Sequence, residues 1–320
     1  MIRLTALFPL ACAITAFVLS MLCLFAGSKK GFMEEYHIVT LNTSTLGYNV
    51  LKPSTTSTAS ASQPTSLTSW ITGEIQNITS IIEGDLTTIE NDIANKLARE
   101  LGIQEWYSLH MMDMCEGSYA PNATSKGAGF NTTECSNRTA MYHFNPTATI
   151  NHELEVGGLN INISDIGWSN TIQGGINDLN AALDATFVLY CIGIGASGLA
   201  ILTAPVSIFL ESKLITFANL AIAFLAFLCL AIDSIIITVL EHQMVNDINK
   251  DGNKIGLYAY KGGKFLALTW SATALMLLAS CTWVVEFWLR WRQVRREYTE
   301  KPLVGRTSQD TFDARGYPKM

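Results

Sequence analysis

Charged side chains are scarce in this chain. Only 15% of its 320 residues are Asp, Glu, Lys or Arg, against about 25% in an ordinary soluble domain. Because so few charges would not cover the surface of a soluble protein of this size, the shortage indicates a membrane protein. The formal net charge of −6 also excludes a generally basic nucleic-acid-binding protein.

The sequence patterns of the common enzyme classes are also missing. No G-x-S-x-G, H-E-x-x-H, P-loop or Rossmann glycine pattern occurs. His110, His143 and His152 lie near two cysteines, but their irregular spacing argues against a zinc site. The run D-x-N-x-D-G at 247–252 reproduces half of an EF-hand loop, but Tyr258 stands where that loop needs a glutamate. We interpret this run as a polar turn, with weak calcium binding as the alternative, and we expect no enzyme activity, no cofactor and no metal.

Long apolar runs, in contrast, are present four times, and each is long enough to cross a bilayer as a helix of about 20 residues. The predicted parts of the chain are the amino terminus with the first span (1–27), a large polar loop (28–185), spans two (186–210) and three (214–240), a second loop (241–264), span four (265–289) and a tail (290–320). An alternative for the first run is a cleaved signal peptide. The predicted fold is mainly α, a four-helix transmembrane bundle with one large extracellular loop.

Basic residues and sequons give the predicted orientation. The tail after the fourth span is rich in Arg and Lys, which favours a cytoplasmic location for both termini. The large loop would then be extracellular, and every N-glycosylation sequon of the chain lies in it. The candidate glycosylation sites are Asn42, Asn77, Asn122, Asn131, Asn137 and Asn162.

The large loop carries its own structural signals. Cys115 and Cys135 are its only cysteines, and in an oxidising compartment they are expected to form a disulfide. The Ser/Thr-rich tract 53–69 is typical of a linker or an O-glycosylated stalk. Apolar residues at helical spacing over 75–101 predict an amphipathic helix, and a second such stripe over 168–183 leads into the second span. Short strands are expected in 106–165.

Two features of the spans bear on function. Asp233 lies inside the third span, and an intramembrane acid is a candidate for an ion or substrate pathway. Small residues line one side of the second span, where they favour close helix packing inside the bundle, with dimerisation as the alternative. A basic collar follows the fourth span and is suited to anionic inner-leaflet lipids, or serves simply as a topology signal. Its members are Arg290, Arg292, Arg295 and Arg296.

Three passages carry a resemblance to a known family. They are LCLFAGSKKGFMEEYHIVTLNTSTLG (22–47), EWYSLHMMDMCEG (105–117) and GLYAYKGGKFLALTW (256–270). In these passages and in its architecture the chain resembles the fungal plasma-membrane tetraspan family called Sur-seven/PalI, which is distantly claudin-like. The signature residues that match are Trp106, Tyr107, Ser108, Leu109, His110, Cys115, Glu116 and Gly117, with Cys135 as the second cysteine.

The resemblance implies a function that is not catalytic. It implies a glycoprotein that organises eisosome-like domains of the plasma membrane at the cell cortex, with links to cell-wall integrity, stress response and endocytic patterning. Expected partners are membrane lipids, other cortical membrane proteins or further copies of the chain, and the cell wall, but no nucleic acid. The alternatives are a sensor or regulator in ambient-pH signalling or cell fusion, and a transporter or channel that depends on Asp233.

Overall fold

The computed structural model describes residues 4–45, 103–156 except 124 and 126, 170–209, 212–253 and 256–300. Four of its helices are long and apolar enough to cross a membrane. They are α1 (Leu7–Phe25), α3 (Asn170–Phe209), α4 (Lys213–Gly252) and α5 (Gly263–Glu300), and a short helix α2 (Pro146–Val156) precedes α3. The predicted fold class, a mainly helical bundle with short strands and one disulfide, is confirmed, and the chain is a multi-pass membrane protein.

Small residues allow the bundle helices to approach closely. A Cβ at Gly193 of α3 would lie 3.0 Å from the Leu230 side chain of α4. Ala196, Ala200 and Ala204 continue the same stripe and are buried inside the bundle. The stripe therefore packs against neighbouring helices inside the bundle, as predicted from the small side chains.

A five-stranded antiparallel sheet lies at one end of the bundle. Its spatial order is β4 (Gly129–Cys135), β3 (Met114–Ala120), β2 (Trp106–Leu109), β1 (Val39–Asn42) and β5 (Tyr258–Lys261). Strand β1 follows α1 in the chain, and β5 is separated from α5 by Gly262 alone. Because β1 pairs with β5, the sheet connects the first and last membrane helices directly.

Helix α4 packs against the sheet at strand β5. Its final turns extend beyond the predicted third span, and they bury Met244, Val245 and Ile248. The Asn249 side chain accepts a hydrogen bond from the Ala259 amide (2.8 Å) and donates one to the Ala259 carbonyl (3.0 Å). Helix and strand β5 are thereby held together by both polar atoms of one amide.

These final turns correct one expectation. Residues 247–252, interpreted above as a polar turn, form the end of α4. A continuous helix does not wrap around an ion as an EF-hand loop does. The structure therefore gives no support for calcium binding by residues 247–252. The helix extension was missed because its polar surface carries no membrane signal.

Other expectations for the large loop have mixed outcomes. Helix α3 begins at Asn170 and continues through the second span without a break, and it buries Ile176, Leu179 and Leu183 of the second stripe. The amphipathic helix at 75–101 and the Ser/Thr-rich tract at 53–69 lie outside the described residues. The loop after β4 is attached to α3, because the Asn180 side chain bonds both the amide and the carbonyl of Phe144 (2.7 and 2.9 Å).

Candidate functional site

Seven of the eight signature residues lie on β2 and β3, two neighbouring inner strands of the sheet, and His110 lies in the turn between them. All four residues of β2, Trp106 to Leu109, are buried, as expected for a strand covered on both faces. The Trp106 indole is 1% exposed; it donates a hydrogen bond to the Ser118 carbonyl (3.1 Å) and meets the Phe130 ring edge-on. The most conspicuous aromatic residues of the motif are therefore core residues of the sheet.

The disulfide between Cys115 and Cys135 is confirmed. The two cysteines lie directly opposite each other in the antiparallel pair β3–β4, and Cys115 is fully buried. Its Sγ lies 3.3 Å from the carbonyl oxygen of Gly27, just past the end of α1. The disulfide therefore contacts the exit of the first membrane helix as well as joining two strands.

Gly117 and Glu116 complete the motif on β3. A Cβ at Gly117 would overlap the Asn131 carbonyl and lie 2.8 Å from the Trp106 ring, which explains the glycine. Glu116 is half-buried, and its pKa is raised by burial and then by Glu134, its partner on β4. The close approach of the two strands thus depends on the absence of a side chain at 117.

The turn between β2 and β3 holds two fully buried titratable side chains, His110 and Asp113. The His110 ring packs on Gly27, whose φ of +76° favours glycine and whose Cβ would overlap the ring. Its Nε2 lies 3.3 Å from the Ser108 hydroxyl, and the His37 ring stands edge-on to it. Among the described residues, neither carboxylate oxygen of Asp113 has a hydrogen-bond partner.

Burial shifts the pKa values of His110 and Asp113 in opposite directions. Burial, followed by the neighbouring His37, lowers the pKa of His110 to about 3, against the opposing Tyr36 carbonyl. Burial raises the pKa of Asp113 to about 7, against the opposing charge of Arg138. Between about pH 4 and 6.5, the folded pair therefore carries one proton, on Asp113. The unfolded pair also carries one, on the histidine, so the two contributions to pH-dependent stability cancel.

Substitution of either His110 or Asp113 should reveal how the remaining residue changes stability with pH. In Asp113→Asn, the unfolded chain still protonates His110 while the folded chain does not, so stability should rise with pH up to about 6.5. In His110→Asn, the folded chain retains the proton of Asp113, so stability should fall between about pH 4 and 7. Each slope should approach about 1.4 kcal/mol per pH unit, because the folded and unfolded states then differ by one bound proton. Thermal unfolding in detergent at a series of pH values measures them.

The matched control is the wild-type protein, in which the pair contributes no slope. Burial also lowers the pKa of His37, but His37 is present in all three proteins and its effect cancels in the comparison. Parallel pH profiles for the two variants would contradict the assignment of opposite shifts.

The structure does not bring His110, His143 and His152 together as ligands of one zinc site. His143 pairs with Asp184 (3.1 Å), His152 is exposed, and neither belongs to the group of close ligand atoms that contains His110. The ligand atoms of His110, Asp113 and Cys115 do lie within 4.8 Å of one another. Because Cys115 is in the disulfide, only two ligands remain, fewer than the three or four that protein zinc sites use.

A cleft of about 300 Å³ opens beside the signature strands. It is lined by Glu34, Glu35, His37, Trp106, Ser108 and residues 128–130. Both carboxylates are already engaged: Glu34 accepts hydrogen bonds from the Gly31 amide and the Thr132 hydroxyl (2.6 Å each), and Glu35 pairs with Lys264 at the start of α5. These contacts attach the segment after α1 to β4 and α5, which makes the cleft wall part of the scaffold.

Four of the six candidate glycosylation sites are described by the structure, and they lie at the sheet end of the molecule. Asn122, Asn131 and Asn137 are exposed, and Asn42 is half-buried, with its side-chain oxygen accepting hydrogen bonds from Ser44. The other two, Asn77 and Asn162, lie outside the described residues. The exposed sites leave room for a glycan.

The basic collar divides into two kinds of residue. Arg290, predicted to contact lipid, is buried, and its guanidinium donates a hydrogen bond to the Ser212 carbonyl (3.0 Å) between α3 and α4. Its role is corrected to a packing contact of the bundle. Arg292 and Arg295 are exposed and stack over the rings of Trp288 and Trp291 at 3.4 and 4.3 Å. These two residues retain the exposed charge that the collar requires; the Arg296 side chain lies outside the description.

Comparison with known proteins places this arrangement in context. A family model described as the SUR7/PalI family matches residues 5–282, which include all four membrane helices as far as Thr282 and the whole sheet. No curated protein and no solved structure matches the chain.

Proposed function

The chain belongs to the SUR7/PalI family, and from that premise we propose that it is a non-enzymatic protein that organises cortical domains of the plasma membrane. The observation that carries the proposal is the attachment of the sheet to the bundle. Strand β1 follows the first membrane helix, β5 precedes the last, and the two strands pair. A rigid unit of this kind suits a scaffold that holds its neighbours in a lateral arrangement.

The proposed orientation places the sheet outside the cell and both termini in the cytoplasm. The exposed sequon residues Asn122, Asn131 and Asn137 belong to the sheet end, and Arg292 and Arg295 belong to the other. Basic residues that flank a span favour the cytoplasmic side. With this orientation the glycosylated sheet faces the cell wall, a further proposed partner, and the collar faces the inner leaflet.

The collar supplies the proposed lipid contact. Arg292 and Arg295 hold their charges over exposed tryptophan rings, an arrangement that suits the boundary between hydrocarbon and headgroups. Anionic inner-leaflet lipids attract each such charge by about 1 kcal/mol. Lateral association with copies of the chain or other cortical proteins would then build on a shared lipid environment.

Imaging of the full-length protein fused to a fluorescent protein tests the proposal. We expect static patches at the cell cortex that coincide with a marker of cortical domains, and slow recovery after photobleaching. Even diffusion over the plasma membrane, or retention in internal membranes, would count against an organiser. If deletion blocked alkaline adaptation or cell fusion while the patches stayed intact, the sensor function would replace it.

Removal of the collar charges should increase mobility. In Arg292→Gln with Arg295→Gln, we expect a larger mobile fraction after photobleaching, because the attraction to anionic lipid is lost. The matched control is Lys29→Gln with Lys30→Gln, which removes two exposed charges just after α1, at the sheet end. Equal changes in mobility for both pairs would show that the collar has no specific role.

A further inference from the structure

Buried polar side chains from all four membrane helices meet in the half of the bundle nearer the sheet. Three hydroxyls form its ordered part: Ser234 lies 3.0 Å from both Thr269 and Thr273. The Tyr190 hydroxyl of α3 is close enough to interact with Cys23 of α1, Thr269 of α5 and Asp233 of α4. Each helix therefore contributes to one buried polar cluster, which consists of Cys23, Tyr190, Asp233, Ser234, Thr269 and Thr273.

Asp233 is the one carboxylic acid of this polar cluster. Its side chain is 0% exposed, and neither carboxylate oxygen has a hydrogen-bond partner among the described residues. The Tyr190 hydroxyl is equally buried and also makes no hydrogen bond of normal length and angle. The three hydroxyls around Ser234, in contrast, bond one another and backbone carbonyls. Within this polar cluster, the oxygen atoms without a hydrogen-bond partner are thus those of Asp233 and Tyr190.

An unpaired carboxylate is costly at this depth. Moving a charge out of water costs several kcal/mol even after relaxation, and membrane interiors retain such groups where they bind ions or relay protons. Among the described residues, no Lys, Arg or His forms an ion pair with Asp233. The next acid along the same helix, Glu241, lies eight residues away, about 12 Å along the axis, and bonds the Gly262 amide (3.3 Å).

The oxygen atoms of this polar cluster indicate which class of ligand it could bind. Carboxylate and hydroxyl oxygens are hard ligands, which prefer hard cations. A single carboxylate balances a single positive charge, so a divalent ion would leave an unbalanced charge inside the bundle. We propose that Asp233, with the hydroxyls of Tyr190 and Thr269, forms an intramembrane binding site for a monovalent alkali cation, sodium first of all. The site stabilises the bundle, and it does not depend on the function proposed above.

Thermal unfolding of the purified full-length protein in detergent tests the site. Sodium chloride is compared with potassium chloride and choline chloride at constant ionic strength and at pH 8. Since a ligand that binds only the folded state stabilises it, the unfolding midpoint should rise by about 3–6 °C at saturating sodium relative to choline. Asp233→Asn, which keeps the shape and removes the charge, should abolish this rise.

Two further variants separate binding from folding. Tyr190→Phe should shift the sodium concentration for half the effect upward by about tenfold, the loss expected for one hydrogen-bonding or ligating group. Ser207→Ala is the matched control, because its buried hydroxyl bonds the Ala204 carbonyl at the other end of α3 (2.7 Å) and the sodium response should persist. If Asp233→Asn does not fold, the cation series and Tyr190→Phe still decide.

Two results would overturn the proposal. One is an equal unfolding midpoint in sodium, potassium and choline. If that midpoint then depended on pH alone, Asp233 would hold a proton in place of a cation. The other is a sodium response that survives in Asp233→Asn, which would place the cation elsewhere.

Discussion

Gly262→Ala should destabilise the protein by about 3 kcal/mol, near the upper end of the range for overpacked sites. A Cβ at Gly262 would overlap the carbonyl oxygen of His37 and lie 2.8 Å from that of Ile38. Both are backbone atoms, and the Gly262 amide itself donates to Ile38 (2.9 Å). Because no side chain can rotate away, β5 would have to separate from β1. We expect a lower unfolding midpoint in detergent and less protein at the cell surface.

The neighbouring glycine provides a matched control. A Cβ at Gly263 would have no heavy atom within 4 Å, and this residue begins α5. Since alanine is a better helix former than glycine, Gly263→Ala should be neutral or slightly stabilising. If the two substitutions lowered the midpoint equally, the effect would come from loss of glycine flexibility, and the tight β1–β5 junction would have no part in it.

The membrane helices could be predicted from the sequence because their signal is local. A run of about 20 apolar residues must satisfy its own backbone hydrogen bonds in lipid, and a helix does so within the run itself. The continuation of α4 to Gly252 had a weaker local signal. Leu240, Met244, Val245 and Ile248 are spaced as one buried helix face, but polar residues between them favoured a loop.

Strands β1 and β5 could not be predicted from local pattern. Each has four residues, and Val39 pairs with Lys261, which is more than 200 residues away in the chain. Strand pairing over such a distance is decided by tertiary packing rather than by propensity. The family resemblance did mark these segments, since two of its three passages, 22–47 and 256–270, contain β1 and β5.

The candidate site also contains some features that the sequence predicts and others that only tertiary packing determines. Cys115 and Cys135 were paired correctly because the predicted compartment and their number left one pairing. By its charge and position Arg290 belongs to the collar, but in the structure it donates a hydrogen bond to the carbonyl of Ser212, 78 residues away. No periodicity in the sequence identifies such a contact. The polar cluster around Asp233 depends in the same way on how four separate helices face one another.

Loss of the disulfide should have the other large effect. In Cys115→Ser with Cys135→Ser, the unfolded chain regains the freedom of a loop with a sequence separation of 20, worth about 3 kcal/mol in the chain-entropy model. Cys115 is also fully buried beside the Gly27 carbonyl, so its replacement disturbs the exit of α1. We expect a lower unfolding midpoint and retention of the protein before it reaches the cell surface. Added reductant should lower the wild-type midpoint to a similar extent.

Two free cysteines separate the disulfide from general thiol effects. Cys191 and Cys281 are exposed on the outer surface of the bundle, so Cys191→Ser with Cys281→Ser should leave the unfolding midpoint and its response to reductant unchanged. In Cys115→Ser alone, Cys135 is left as a thiol at the sheet end and should form crosslinked dimers on non-reducing gels, while the double variant should not. If the double variant unfolded at the wild-type midpoint, strand pairing and the packing of His110 on Gly27 would hold the sheet without the disulfide. The disulfide would then act in assembly during folding, because the folded state would not need it.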